Sequence, residues 1–166
     1  MRAAVITEPG GPDVLKIMDI ADPSPGPDDV LIDVKASSLN RADTIQRQGG
    51  YSAPPGNPSD ILGLEFSGIV SELGKRVTGM QRGDRVFGLL GGGGYATRVI
   101  THHRMAIPMP DSWDFVQAAA TPEVYFTAYD ALFNRANLQM GESVLVHAAG
   151  SGVGTAAVQL AHHAGA

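Results

Sequence analysis

Residues 143–165 decide how this chain is interpreted, and they read Ser-Val-Leu-Val-His-Ala-Ala-Gly-Ser-Gly-Val-Gly-Thr-Ala-Ala-Val-Gln-Leu-Ala-His-His-Ala-Gly. A short apolar segment, Val144–Val146, precedes a glycine-rich turn and a stretch of small residues with helical character. We expect a buried parallel strand over Val144–Val146, because a strand covered on both faces is apolar throughout. A strand, a tight turn and a helix in this order form a phosphate-binding corner, as in dinucleotide-binding folds.

The small residues of the turn let the backbone approach an anion closely. N–H groups in the first turn of the following helix have no partner within the helix, and the helix dipole adds attraction. The spacing departs from GxGxxG, because aligning the last glycine with Gly154 places Ala149 and Ser151 at the first two positions. A tight corner without a ligand therefore remains an alternative. The predicted cofactor-binding residues of the turn are Ala149, Gly150, Ser151, Gly152, Val153 and Gly154.

Composition excludes several kinds of partner and site. The net charge of −5 argues against a nucleic-acid partner. The absence of cysteine rules out disulfides, zinc–thiolate sites and cysteine nucleophiles. No apolar run approaches the ~20 residues of a membrane span, and Met1–Ile6 lacks the apolar core of a signal peptide. These features predict a cytoplasmic protein that binds neither nucleic acid nor membrane.

The chain before residue 110 is rich in short β-branched segments separated by proline and glycine clusters. This pattern is typical of a barrel-like β domain. One short helix is expected over Asn40–Arg47, capped by Asn40, and Gly91–Gly94 is expected to be a loop tip. The predicted strands are Ala3–Ile6, Val14–Ile20, Val30–Val34, Gly68–Leu73, Arg85–Leu90 and Tyr95–Ile100.

The pattern changes to helices near residues 118–125. Ser112 is expected to cap a short helix over Asp114–Ala119. A second helix is expected to start at Thr121, with Pro122 in its first turn, and to run to about Asn134. We therefore divide the chain into domains 1–120 and 121–166.

Several motifs carry a family resemblance. Gly63–Val70 and Gly83–Val86 resemble the signature of the medium-chain dehydrogenase/reductase superfamily, within its GroES-like domain. Asn40–Asp43 and Gln46–Tyr51 are similar to its zinc-free quinone oxidoreductase branch, most closely the p53-inducible type. Further matching segments are Gly74, Val77, Ala118–Glu123, Thr127-Ala128 and His147–Ala157.

This resemblance covers essentially the whole chain. It implies a mainly β GroES-like barrel domain, followed by the first strand and helix of an α/β Rossmann nucleotide-binding domain. Because members of the family are considerably longer, it also implies an N-terminal fragment.

The implied function is NADPH-dependent hydride transfer to a quinone or related conjugated carbonyl, in a full-length homodimer. Two alternatives stay open. One is reduction of 2-enal or enone double bonds by an enzyme of the same superfamily. The other is a catalytically silent GroES-like module with a role in folding or interaction.

No metal is expected. Leu64 stands where the zinc-dependent relatives have a histidine ligand, and leucine cannot bind zinc. Glu65 is expected to be a hydrogen-bonded carboxylate near the cleft. Because neighbouring residues point to different faces of a strand or helix, neither His102-His103 nor His162-His163 is expected to chelate a metal.

Four residues are expected to contact cofactor or substrate, Tyr51 and Thr127 from the resemblance, and Asn40 and Ser151 from their chemistry. Tyr51 and Asn40 are the predicted catalytic residues. Tyr51 is expected to stack on the nicotinamide or donate to a carbonyl oxygen, the alternative being an aromatic lid. Asn40 is expected to hold the nicotinamide amide or a substrate oxygen, the alternative being a plain helix cap. Thr127 is expected to face the nicotinamide, or else to bond the preceding helical turn. Ser151 is expected to contact phosphate or ribose, or else to be only a small turn residue.

Overall fold

Antiparallel pairing organises the first part of the chain. The central strand β3 (Asp29–Ala36) pairs with β6 (Arg98–His102) on one side and with β4 (Glu65–Leu73) on the other. Strands β5 (Arg85–Leu89) and β7 (Ile107–Pro108) complete a five-stranded sheet in the order β6-β3-β4-β5-β7. The structure, a computed structural model, describes all residues from Met1 to Ala166.

Two further strands form a separate antiparallel pair, β1 (Arg2–Ile6) with β2 (Leu15–Asp19). Single bridges join β1 to the rest of the β structure, between Ala3 and Ala96 and between Val5 and Ile61. The mainly β character expected of this part of the chain is confirmed.

Branched and aromatic side chains close the core of the larger sheet. Val30, Ile32, Phe66, Val70 and Val86 are all buried to within about a hundredth of their surface. Burying one such side chain contributes roughly 1.5–3 kcal/mol relative to leaving it in water. These residues come from β3, β4 and β5, so the central strands are held by packing as well as by hydrogen bonds.

The strand predicted over Tyr95–Ile100 corresponds to β6, which begins only at Arg98. Residues Tyr95 and Thr97 pair with β1 instead of continuing β6: Ala4 N–H donates to the Tyr95 carbonyl at 2.8 Å, and Thr97 N–H donates to the Arg2 carbonyl at 2.9 Å. The chain therefore changes partner near residue 97. The two-residue strand β7 is too short for a sequence pattern to reveal.

The prediction of a loop tip at Gly91–Gly94 is wrong. Gly92, Gly93 and Gly94 are buried. Gly93 N–H donates to the Ile61 carbonyl at 2.8 Å, and Gly94 N–H donates to the Gly63 carbonyl at 3.0 Å. Glycine occurs here because two backbone segments pack directly against each other, and not because the segment reaches into solvent.

The helix α1 (Arg41–Arg47) forms as predicted, with Asn40 as its N-cap. The next helix, α2 (Phe115–Ala119), is capped by Asp114 and not by the predicted Ser112. Asp114 Oδ1 accepts from Gln117 N–H at 2.7 Å, while Gln117 Oε1 accepts from Asp114 N–H at 3.1 Å. This reciprocal pair needs a glutamine or glutamate three positions after the cap, which Asp114 has.

The chain folds as two units, Met1–Ala120 and Thr121–Ala166. The second unit contains α3 (Pro122–Tyr129), a π-helical turn over Asp130–Arg135 and α4 (Gly152–His163). Its small core joins α3 and α4 through alanines such as Ala128 and Ala156, each 1% exposed. No helix combines the length and apolar character that a bilayer crossing requires.

The predicted strand over Val144–Val146 is not formed. Val144 and Val146 pack against the helices of the second unit, whereas Leu145 is 83% exposed. This alternation is that of a strand, but no neighbouring segment supplies ladder hydrogen bonds. A parallel strand needs such a neighbour, so the segment stays unpaired.

Replacing Gly94 by alanine tests the role of the buried glycines. The new Cβ would lie 2.8 Å from the Glu65 carbonyl oxygen and 2.9 Å from that of Gly63. We expect Gly94→Ala to lower the free energy of unfolding by about 1–3 kcal/mol, measured by urea denaturation. Gly11→Ala is the matched control, since its Cβ meets no atom within 4 Å. Equal denaturation midpoints for the two variants would contradict the close packing.

Candidate functional site

A buried carboxylate organises the polar residues of the first unit. Glu65, the first residue of β4, is 1% exposed. Its Oε1 accepts a hydrogen bond from Asn40 Nδ2 at 2.7 Å and another from Ser38 Oγ. Its own carbonyl oxygen accepts from Ser37 Oγ at 2.8 Å. The predicted hydrogen-bonded carboxylate is therefore found, held by the segment between β3 and α1.

Asn40 does more than cap α1. Its side-chain nitrogen donates to Glu65 Oε1 at 2.7 Å and also lies 3.4 Å from Ser38 Oγ, on the same side of the amide. Its backbone N–H donates to Asp43 Oδ2 at 2.7 Å, which fixes the start of the helix. The amide nitrogen thus ties Asn40 to Glu65, while the amide oxygen is an acceptor.

A second buried carboxylate, Asp43, is absent from the residues predicted from the sequence. Asp43 is 4% exposed. Its Oδ2 also accepts from the Tyr95 hydroxyl at 2.7 Å, and its Oδ1 accepts from Gly63 N–H at 3.2 Å. The spacing of Asn40 and Asp43, three residues apart at a helix start, is the sequence signal that points to Asp43. No local signal points to Tyr95, which lies 52 residues away.

Burial raises the pKa of Tyr95 well above its ordinary value, and the neighbouring Asp43 carboxylate raises it further. A phenol with a raised pKa keeps its proton, and here that proton is donated to Asp43. Tyr95 is therefore a fixed hydrogen-bond donor inside the protein.

The structure places Tyr51 apart from this network. Its side chain is 42% exposed and makes no hydrogen bond to Asn40, Asp43 or Glu65. It follows Gly49, whose φ of 82° ends α1 in the left-handed region. The two predicted catalytic residues thus flank opposite ends of one short helix, and no hydrogen bond joins them.

The glycine-rich turn of the second unit has the predicted form. Ser151 is the N-cap of α4, and its Oγ accepts from Gly154 N–H at 3.0 Å. Gly150, Gly152 and Val153 are exposed. A Cβ on Gly154 would meet the Ala148 carbonyl oxygen and would lie 2.7 Å from Ala149 Cα. The last glycine is therefore needed for the turn to close on the helix.

The turn also contains a strained residue. Ala148 has a φ of 53°, a conformation that costs a non-glycine residue about 1 kcal/mol or more. The exposed N–H groups of Gly152 and Val153 have no partner within α4, because they belong to its first turn. Backbone N–H groups in the first turn of a helix and a serine hydroxyl are donors of the kind that bind phosphate.

Thr127 lies on the exposed side of α3, next to the buried Ala128. Exposure does not fit a hydroxyl buried in the helix core. The threonine is therefore available to a ligand, and its contact with a nicotinamide stays a prediction.

The first histidine pair does not have the expected arrangement on opposite faces of a strand. The rings of His102 and His103 stack at a centroid distance of 4.8 Å. They do not point to opposite faces, because β6 ends at His102 and a 3₁₀ turn begins at His103. His162 and His163 meet edge to face at 5.9 Å. Leu64, at the position of the missing zinc ligand, is buried.

Comparison with known proteins relates the chain to one family. The model of the alcohol dehydrogenase GroES-like domain matches residues 26–111. A quinone oxidoreductase from Lama guanicoe is 44% identical over 163 residues, which cover 97% of this chain and 49% of that protein. The chain thus spans about half the length of this relative.

Two solved structures show the same fold. The human synaptic vesicle membrane protein VAT-1 homolog-like protein is 42% identical with a TM-score of 0.92, covering 98% of this chain and 52% of that chain. The CurK enoyl reductase is 34% identical with a TM-score of 0.90, covering 99% of this chain and 52% of that chain.

The cap of α4 is tested by replacing Ser151 with alanine. Gly154 N–H then loses its side-chain acceptor, which costs about 0.5–2 kcal/mol of helix stability. We expect the amide hydrogen of Gly154 to exchange faster with solvent in Ser151→Ala, as measured by NMR. Ser143→Ala, an exposed serine before the turn, should leave this exchange unchanged. The same exchange rate in both variants would show that Ser151 does not cap the helix.

Proposed function

Because the chain belongs to the alcohol dehydrogenase GroES-like domain family, in the medium-chain dehydrogenase/reductase superfamily, we propose that it is part of an NADPH-dependent quinone oxidoreductase. The observation that carries the proposal is the 44% identity to a quinone oxidoreductase over 97% of the chain. The substrate would be a quinone or a related conjugated carbonyl. The whole enzyme would be a cytoplasmic homodimer.

The glycine-rich turn supports a nucleotide cofactor. Gly152 and Val153 would donate backbone N–H groups to its phosphates, and the α4 dipole would add attraction. The Ser151 oxygen already accepts from Gly154, so its hydroxyl hydrogen is free to donate to an anion. When bound, the nicotinamide supplies a hydride. The choice of NADPH over NADH rests on the family resemblance.

The residues of the first unit supply orientation and polarity. Asn40 would accept, through its oxygen, a hydrogen bond from the carboxamide N–H of the nicotinamide. A substrate oxygen is the alternative partner of this side chain, which is held in place by its hydrogen bond to Glu65. Tyr51, whose side chain is 42% exposed, would donate to the carbonyl oxygen that gains negative charge. Thr127, which belongs to the second unit, is also proposed to contact the nicotinamide.

The same network supports a mechanism without zinc. Leucine replaces one ligand at Leu64, and the Glu65 carboxylate accepts hydrogen bonds from Asn40 and Ser38. Neither Asn40 nor Ser38 has the thiolate or imidazole that zinc prefers. The proposed reaction therefore relies on hydrogen-bond donors for charge stabilisation.

Reduction of a carbon–carbon double bond is the second candidate, because the CurK enoyl reductase has the same fold at a TM-score of 0.90. Quinones and enones both accept a hydride and gain negative charge on oxygen. Steady-state kinetics of the full-length protein with a quinone and with an enone, each with NADPH and NADH, would separate the two. Oxidation of neither cofactor with either acceptor would contradict both.

Tyr51→Phe tests the proposed donor. Loss of one hydrogen bond to a developing charge costs roughly 1–3 kcal/mol of transition-state stabilisation, or about tenfold to a hundredfold in rate. We expect kcat of the full-length enzyme with a quinone to fall within this range, with the circular dichroism spectrum unchanged. Tyr129→Phe removes another exposed phenol hydroxyl and should leave kcat unchanged. Equal kinetics for wild type and Tyr51→Phe would reduce Tyr51 to a lid residue.

The chain of residues 1–166 alone is expected to bind NADPH weakly or not at all and to lack reductase activity. Its turn offers donors to the phosphates, but the unpaired segment at Val144–Val146 leaves the turn without a sheet to support it. Titration of NADPH fluorescence with the purified chain measures this directly. Saturable binding at low micromolar concentration, or quinone-dependent oxidation of NADPH, would contradict the expectation.

A further inference from the structure

We propose that Asp43 and Tyr95 are a positioning pair, which holds Asn40 in place against Glu65. The proposal rests on the proposed function, in which Asn40 contacts the nicotinamide. Neither residue of the pair is expected to touch cofactor or substrate. Their effect on the reaction would pass through the orientation of the Asn40 amide.

The first argument is the set of hydrogen bonds that Asp43 accepts. Oδ2 receives the Asn40 N–H and the Tyr95 hydroxyl, both at 2.7 Å, and Oδ1 receives the Gly63 N–H at 3.2 Å. With 4% of its surface exposed, the carboxylate is shielded from solvent on every side. Its oxygens are therefore engaged inside the protein, which makes Asp43 unsuited to direct proton transfer with a substrate.

The second argument is where these three donors come from. Asn40 begins α1, and Gly63 lies two residues before Glu65 at the start of β4. The bond of 2.7 Å between Asn40 and Glu65 exists only if these two segments keep their relative position. Asp43 accepts from the backbone of both segments, so it acts as a brace across the Asn40–Glu65 contact.

The third argument is the anchor that Tyr95 provides. Its backbone is held on two sides, since Tyr95 N–H donates to the Leu62 carbonyl at 2.9 Å and its own carbonyl accepts from Ala4 N–H at 2.8 Å. The preceding residue, Gly94, bonds the Gly63 carbonyl. The Tyr95 hydroxyl thus projects toward Asp43 from a fixed backbone, and it sets the position of the carboxylate that in turn fixes Asn40.

A double-mutant cycle in the full-length protein tests the pair, using wild type, Asn40→Ala, Tyr95→Phe and the double variant. Tyr95→Phe keeps the ring and removes one donor. We expect it to lower kcat/KM by about fivefold to thirtyfold, and to have almost no further effect once Asn40 is alanine, because coupled residues are not additive. If Tyr95→Phe has no effect, or has the same effect in both backgrounds, the positioning pair is wrong.

A second readout does not depend on activity. With asparagine labelled by ¹⁵N, NMR follows the side-chain amide hydrogens of Asn40. Tyr95→Phe should shift these signals and speed their exchange with solvent. Ser71→Ala, which removes a hydrogen bond of 3.2 Å from Ser71 Oγ to the Leu31 carbonyl in the same sheet, should do neither.

The two readouts separate the two proposals. A full-length protein without reductase activity, in which Tyr95→Phe still disturbs the Asn40 amide, contradicts the proposed function and supports the brace. An active enzyme whose Asn40 signals are identical in wild type and Tyr95→Phe contradicts the positioning pair. It is still consistent with the proposed function.

Discussion

A carboxylate that is removed from water must find hydrogen-bond donors, and Glu65 imposes this constraint on the first unit. An unpaired buried charge costs several kcal/mol, far more than a typical single hydrogen bond contributes. The donors come from Ser38 and Asn40, which belong to the chain between β3 and α1. These hydrogen bonds therefore hold three places in the chain next to each other: the end of β3, the start of α1 and the start of β4. The polar site is thus located where hydrogen-bond donors surround the buried Glu65 carboxylate.

Backbone packing makes that meeting possible. Gly94 lies so close to the carbonyl oxygens of Glu65 and Gly63 that a side chain has no room. The segment then continues into Tyr95, whose hydroxyl reaches Asp43. The Glu65 carboxylate accepts from Ser38 and Asn40, and the Asp43 carboxylate accepts from Asn40, Gly63 and Tyr95. Packing of glycine against backbone and hydrogen bonding to carboxylates are parts of the same arrangement.

Features that depend on neighbouring residues can be predicted from the sequence, and features that depend on distant ones cannot. Asn40 is identifiable as a helix cap because a cap and its helix lie within a few residues. The predicted strand at Val144–Val146 fails since its hydrogen bonds would come from another segment. The cap of α2 is Asp114 because only there does a reciprocal bond with Gln117 form. Tyr95 could not be predicted because its role depends on a hydrogen bond to Asp43, which is distant in the sequence.

The run Gly91–Gly94 has a practical consequence for anyone who modifies this protein. Four consecutive glycines ordinarily mark the place where an affinity tag, a fluorophore or a spacer can be inserted without harm. Here most of these glycines are buried and pack directly against another backbone segment beside the polar site. Insertions are better tolerated at a glycine such as Gly11, which has open space around it. The composition of a segment tells how freely it could move in isolation, whereas its tolerance to change is set by what lies against it.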